Sequence, residues 1–196
     1  MEGNILLFIQ DNIRQPWLNP IMVVITSLAD SGLIWAVVCF TLFLIPKTRR
    51  LGTMCCFAFL FMVILNNLTI KMIVDRTRPF VAVKNLIPLG RIPSDSSFPS
   101  GHTASSFAVA TVILCRTKLR IGIPCMILAV LISLSRLYVG VHYPTDVLVG
   151  FVVGILCAFI GMKVGEFAYT KVTGKFPVLA KFPFCWRKEK SEVSES

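Results

Sequence analysis

Apolar runs of membrane-spanning length constrain this chain more than any other feature. A helical span needs about 20 predominantly apolar residues to cross a hydrocarbon core about 30 Å thick. Five stretches approach that standard: residues 20–45, interrupted at Asp30-Ser31-Gly32, then 51–70, a shorter 102–115, then 121–139 and 147–167. With 55% hydrophobic and 15% charged residues, the 196-residue chain is too apolar for an ordinary soluble domain. The pattern predicts an all-α, polytopic membrane helical bundle of about five spans. Residues 4–17 carry Gln10, Asp11, Asn12 and Arg14, so they do not span. They read as an amphipathic helix lying at the interface. No cleavable signal is evident, because the apolar run 5–9 is too short and nothing basic precedes it.

Charge placement predicts the orientation. Basic clusters occur at Lys47-Thr48-Arg49-Arg50 and Arg116-Thr117-Lys118-Leu119-Arg120, and the tail adds Lys171, Lys175, Lys181, Arg187, Lys188 and Lys190. They follow the first, third and fifth spans, so all share one side, which the positive-inside rule makes the cytoplasm of a plasma-membrane protein. The domain reading is one membrane domain over 1–170 with a cytoplasmic basic and polar tail over 171–196, disordered from 187 onward. The net charge of +10 is then mainly a topology signal. Nucleic-acid binding is the rival explanation, but the cations sit in membrane-flanking loops. Of the seven cysteines, Cys39, Cys55, Cys56, Cys115, Cys125 and Cys157 lie within or at the edge of spans and Cys185 lies in the tail. None has metal-ligand spacing with the histidines and none lies in the outer loop, so they read as small apolar fillers.

Against this background stand three polar clusters, all on the predicted outer side. They are Lys71 with Arg78-Pro79, then Pro99-Ser100-Gly101-His102, then Ser135-Arg136 with His142 and Asp146. Polar residues at membrane depth are costly and default to functional hypotheses. The outer loop 75–99, which joins the first two clusters, contains Pro79, Pro88, Gly90, Pro93 and Pro99. Long irregular loops are uncommon unless functional, but the middle of this one reads as an interfacial connector.

The spacing Lys71-(six residues)-Arg78-Pro79, the string Pro99-Ser100-Gly101-His102, and Ser135-Arg136-(five residues)-His142-(three residues)-Asp146 resemble the three-part signature of the type 2 phosphatidic acid phosphatase superfamily. That superfamily includes membrane lipid phosphatases, undecaprenyl diphosphate phosphatases, glucose 6-phosphatase and vanadium haloperoxidases. The likeness covers roughly residues 51–167, with every signature position filled in order. Many bacterial members carry six spans, so the usual first one is missing here or replaced by the interfacial helix. The resemblance implies that His142 forms a phosphohistidine, which water then cleaves. It also implies that His102 protonates the leaving oxygen and later activates that water, and that vanadate, a phosphate mimic, inhibits.

The residue types suit that chemistry. A phosphoryl group in transfer spreads charge over three equatorial oxygens, so Lys71, Arg78 and Arg136 make a sensible clamp. Arginine grips phosphate with a planar fork where lysine offers a point charge. Snorkelling to headgroups is the alternative for such cations, and it is the preferred one for Lys84 and Arg91. Arg76 lies outside the signature and is available for a second phosphate or a headgroup. Ser100 is a natural N-cap, Gly101 admits a ligand to the backbone, and the helix start is an anion site. Pro144 suits a first helical residue, placing Asp146 in the first turn, from where it can hold one nitrogen of His142 or serve merely as a cap. No metal and no cofactor is required, since three cations and a helix N-terminus supply the positive charge.

The functional expectation is an outward-facing membrane phosphatase acting on a lipid phosphate or diphosphate, with membrane lipids as further partners and no nucleic acid. Undecaprenyl diphosphate is the first choice of substrate. Phosphatidylglycerol phosphate, phosphatidic acid and diacylglycerol diphosphate are the alternatives, because the motifs read the phosphate and not the tail. A catalytically silent lipid-binding or transport protein is the alternative of another class; the intact pair of histidines argues against it.

Overall fold

A computed structural model describes residues 1–175. The expectations for Lys181, Cys185, Arg187, Lys188, Lys190 and the disordered end lie outside the described residues. The order of elements is α1 (Glu2–Phe8), a π-helical turn (Ile9–Ile13), α2 (Leu18–Leu28), a 3-10 turn (Asp30–Gly32), α3 (Leu33–Leu44), α4 (Arg49–Met62), a π-helical stretch (Val63–Ile70), α5 (Lys71–Val74), α6 (Pro79–Ala82), α7 (Gly101–Arg116), α8 (Leu119–Tyr138) and α9 (Pro144–Lys175). The protein is an all-α membrane bundle. Helix α9 runs through Lys171, so the predicted tail begins inside a helix.

The predicted count of five spans is not met by length. The helical run Arg49–Ala82, interrupted over residues 75–78, helix α8 and helix α9 are long and apolar enough to cross a membrane; α2 and α3 make a fourth when taken as one span bent by 46°. The remaining helix, α7, has 16 residues, roughly 24 Å of rise against a core of about 30 Å. It does not continue toward Leu119, because Thr117 is extended. Its apolar character also matches its surroundings. Every residue from Thr103 to Ile113 is buried, and α4, α8 and α9 pack around it. Hydropathy alone does not separate a helix surrounded by protein from one surrounded by lipid. By contrast, Leu148, Val152, Leu156 and Phe159 of α9 lie exposed at helical spacing, as a lipid-facing stripe requires.

Close approach of backbones sets the bundle's geometry. A Cβ on Gly150 would lie 2.7 Å from the Ser100 carbonyl oxygen, and one on Gly154 2.6 Å from that of Ala104. Two turns on, the same helix meets α4: a Cβ on Gly161 would lie 2.4 Å from the Ala58 nitrogen. Small residues four apart let helices pack this way where no hydrophobic force drives association. Helix α9 therefore holds α7 near its start and α4 near its end, fixing the height of Ser100 against Asp146. The Ser100 N–H donates to the Asp146 carbonyl oxygen at 3.0 Å.

The N-terminal segment does form a helix, and it closes the end of the bundle where α7 and α9 begin. Leu6 is buried against Leu86 and Tyr143. Gln10 donates to the Asn85 carbonyl at 3.1 Å and accepts from the Ile87 N–H at 2.8 Å, while Arg14 donates to the carbonyls of Tyr138 and Ile87 at 2.8 and 2.5 Å. The polar residues that keep this segment from spanning thus pin the loop 83–89.

A leucine at Gly161 should force α9 from α4 and lower stability by about 1–3 kcal/mol, as overpacking does. Gly174, whose Cβ would meet nothing within 4 Å, is the control, and alanine there should be neutral or stabilising. Thermal unfolding in detergent compares the two; equal melting temperatures would contradict this packing.

Candidate active site

Six of the eight predicted site residues line one cavity of about 410 Å³: Lys71, Arg78, Gly101, His102, Arg136 and His142. Ser100 and Asp146 stand behind it, both fully buried. Ser100 is taken up as the α7 cap, its hydroxyl accepting from the Thr103 N–H at 3.4 Å and the Thr103 hydroxyl at 3.0 Å. Its predicted phosphate contact would therefore have to come through the helix end rather than a free hydroxyl.

Asp146 is where the site is tied together. Its Oδ2 accepts from the Tyr143 N–H at 2.8 Å and from the Ser97 hydroxyl, and lies 3.5 Å from His142 Nδ1. Its Oδ1 accepts from Arg76 Nη1 at 2.6 Å. The bond to Tyr143 N–H is the backward half of a capping box, so capping and imidazole holding coexist in one carboxylate. The distance of 3.5 Å is longer than a good hydrogen bond, and such contacts tighten when substrate binds. Arg76 is consequently not available for a second phosphate: its other nitrogen pairs with Glu2 at 2.5 Å, and its guanidinium lies 3.9 Å above the Tyr143 ring.

The other ring nitrogen of His142 faces the clamp. Its Nε2 lies 3.4 Å from Arg78 Nη1, which also donates to the Val141 carbonyl at 2.8 Å. Burial pushes the His142 imidazole below its ordinary pKa, and the cations Arg136 and Arg78 add to that, against the opposing pull of Asp146. The ring is neutral near pH 7, which leaves a lone pair on one nitrogen.

Asp95 occupies the clamp's cationic atoms. Its two carboxylate oxygens lie 2.5 Å from Lys71 Nζ and 2.8 Å from Arg78 Nη2. Partial burial opposes its charge, but these two cations hold its pKa down to about 2. Arg136 is held by Thr26, whose hydroxyl accepts from Nη1 at 2.6 Å, and its Nε has no partner despite burial. Arg91, predicted to snorkel, is exposed and lines the same cavity. His102 Nε2 lies 3.1 Å from Asp30 Oδ1.

Several of these contacts went unread in the sequence. Asp95 and Ser97 sit in a Ser-rich run just before the Pro-Ser-Gly-His string, and a lone carboxylate there was a usable signal. Asp30 interrupts an apolar run, which was another. Glu2 and Thr26 carry no local mark at all. The outer loop is thus a connector only in its middle; at Asp95 and Ser97 it is part of the site.

Residues 51–169 match the family model described as the PAP2 superfamily. The chain belongs to the PAP2 superfamily. It is 32% identical over 147 residues to undecaprenyl-diphosphatase of Sulfolobus acidocaldarius, covering 75% of this chain and 70% of that one. It is 35% identical over 161 residues to phosphatidylglycerophosphatase B of Bacillus subtilis, covering 76% and 75%. Among solved structures, Aquifex aeolicus LpxE superposes with a TM-score of 0.69 at 31% identity, over 82% of this chain and 93% of that one. The protein is therefore a membrane-embedded PAP2 phosphatase, a hydrolase of the lipid phosphatase family.

The buried, neutral His142 links this PAP2 site to acid stability. An unfolded chain protonates this histidine below about pH 6.5 while the native state does not, so stability must fall as pH drops through that value. Asp95 acts in a separate window: its ion pairs are intact above about pH 4 and are lost as pH falls toward about 2. His142→Gln should flatten the melting temperature between pH 7 and 5 relative to wild type. A wild type that gains stability on acidification through this window would contradict the assignment.

Proposed function

We propose that this PAP2 phosphatase hydrolyses a carrier-lipid diphosphate, undecaprenyl diphosphate in the first instance, at the outer face of the plasma membrane through a phosphohistidine on His142. The observation that carries the reading is the 3.4 Å approach of His142 Nε2 to Arg78 Nη1. A phosphate gripped by Arg78 puts phosphorus beside Nε2, whose lone pair faces the clamp, while Asp146 holds the opposite side of the ring. Attack forms the N–P bond and breaks the P–O bond to the leaving group, which takes a proton from His102. Water then attacks the phosphohistidine and returns that proton to His102, releasing inorganic phosphate.

Lys71, Arg78 and Arg136, with the start of α7, supply the positive charge that a transferring phosphoryl group needs. The reading therefore requires no divalent metal. Orientation is supported by the distribution of basic residues. Arg50, at the start of α4, pairs with Glu166 near the end of α9, whereas Asp146 and Ser100 meet at the starts of α9 and α7. The basic end and the cavity end of the bundle are thus opposite, and the basic end is the cytoplasmic one by the positive-inside rule.

The diphosphate choice draws on two observations. One is the likeness to a protein named undecaprenyl-diphosphatase. The other is Arg91, which lines the cavity and has no hydrogen bond or ion pair among the described residues, so that it can take a second phosphate. The comparable likeness to phosphatidylglycerophosphatase B makes phosphatidylglycerol phosphate the second reading.

Phosphate release from purified protein, with EDTA present, separates these. Undecaprenyl diphosphate should give the higher kcat/KM, and Arg91→Gln should raise KM for it several-fold with little effect on a phosphomonoester. His142→Ala should lose at least about 10²-fold and His102→Ala about 10²–10⁴-fold. Chelator-sensitive activity restored by Mg²⁺ would overturn the metal-independent mechanism, and full activity in His142→Ala would overturn the nucleophile.

A further inference from the structure

The break in the first long apolar segment lies outside the phosphate clamp and the His142–Asp146 pair. Helices α2 and α3 are separated by the turn Asp30–Gly32, where Gly32 adopts the left-handed conformation at φ 70°. A carboxylate there is expensive if it serves only the backbone. Its side chain caps neither the 3-10 turn nor α3. Instead the turn packs against α7, a Cβ on Gly32 would lie 3.0 Å from the Phe59 ring and 3.8 Å from Ser105, and the carboxylate is delivered to His102 at 3.1 Å. Both residues line the cavity.

We infer that Asp30 is the positioning residue of the general acid, forming with His102 a second carboxylate–imidazole pair opposite His142–Asp146. The inference rests on the reading of His102 as the proton donor. With Nε2–H donating to Asp30, Nδ1 is the nitrogen that exchanges a proton with substrate. The imidazolium gives its Nδ1 proton to the leaving oxygen as the P–O bond breaks. The neutral ring keeps Nε2–H on Asp30, and Nδ1 then takes a proton from the water that cleaves the phosphohistidine, restoring the imidazolium. Protons balance over the cycle, and Asp30 remains a carboxylate throughout.

A carboxylate is needed because the cavity otherwise disfavours a cationic ring. His102 faces Arg136 of α8, Arg78, Arg91 and Asp95 of the outer loop, Lys71 of α5 and His142 of the turn before α9. Of these only Asp95 is anionic, and it is engaged by Lys71 and Arg78. Among the described residues that line the cavity, Asp30 is the remaining negative charge. It offsets the cations on the acid's side while leaving them free to hold phosphate on the other.

The test is a double-mutant cycle in the full-length protein, read on lipid phosphate hydrolysis and on p-nitrophenyl phosphate, whose leaving group needs little protonation. Asp30→Asn should cut kcat on the lipid substrate roughly 10- to 100-fold, a fraction of the about 10²–10⁴ that a general acid supplies, with KM changed by less than about twofold. In single-turnover phosphorylation by p-nitrophenyl phosphate that loss should largely vanish. The limb of the pH–rate profile that reports loss of the His102 proton should move to lower pH. In the His102→Ala background, Asp30→Asn should cost nothing further. Full activity in Asp30→Asn, additive losses in the double variant, or equal losses on both substrates would each overturn the pairing. Asp30→Glu, which keeps the charge, should recover part of the rate; an Asp30→Glu no better than Asp30→Asn would also count against it. If His102→Ala itself retained wild-type turnover, the proton-donor reading would fail first, and the cycle would show it separately.

Discussion

A fully buried carboxylate, Asp146, is the interaction on which the rest of this site depends. An unpaired charge at such a position is prohibitively costly, so it must be met by donors on every side. Those four partners come from three separate parts of the chain: the Tyr143 N–H and the adjacent His142 just before α9, the Ser97 hydroxyl at the end of the outer loop, and Arg76 after α5. Satisfying one carboxylate therefore locates the loop, the helix start and the imidazole relative to one another. Arg76 extends the arrangement to Glu2, which also accepts from the Thr145 N–H at 3.0 Å. The N-terminal helix is thereby part of the scaffold of the site and not merely an interfacial appendage.

The clamp follows a different logic. Lys71, Arg78 and Arg136 are drawn to one cavity although they repel one another, and Asp95 and Asp30 supply the negative charge that makes this tolerable. Asp95 holds two of the cations in a geometry with carboxylate oxygens where phosphate oxygens would bind. Asp95 itself is exposed, whereas Arg136, with Nε buried and unpartnered, is fixed by Thr26 from α2. Arg78 and its partner Asp95 are thus borne on the outer loop, and Lys71 and Arg136 on helices.

Much of this was legible in the sequence, and the reasons are local. Pro144 before Asp146, Ser100 before Gly101, and the ordered cations all sit in short windows where spacing dictates geometry. What was not legible is tertiary. The α7 segment reads the same in sequence whether lipid or protein surrounds it, because burial in either demands the same apolar residues. The Asp30-Ser31-Gly32 interruption was visible as a break, yet its meaning depends on Gly32 bringing the turn against α7, far away in sequence. Arg76 looked available because nothing near it hinted at Glu2. Arg91 was read as snorkelling, since no local pattern places an exposed loop arginine at a cavity formed by five elements. The Gly150, Gly154 and Gly161 contacts that hold α9 to α7 and α4 carry the bundle, and their spacing is visible only once the partner helices are known.

In the proposed reaction His142 Nε2 receives the phosphoryl group. Rapid quench of the purified full-length protein with a substrate carrying ³²P in the phosphoryl group to be transferred tests it most directly. A transient phosphoenzyme is expected that is acid-labile and base-stable, maps to the peptide containing His142, and is absent in His142→Ala. A label that persists in His142→Ala, or one that maps to another residue, would contradict it.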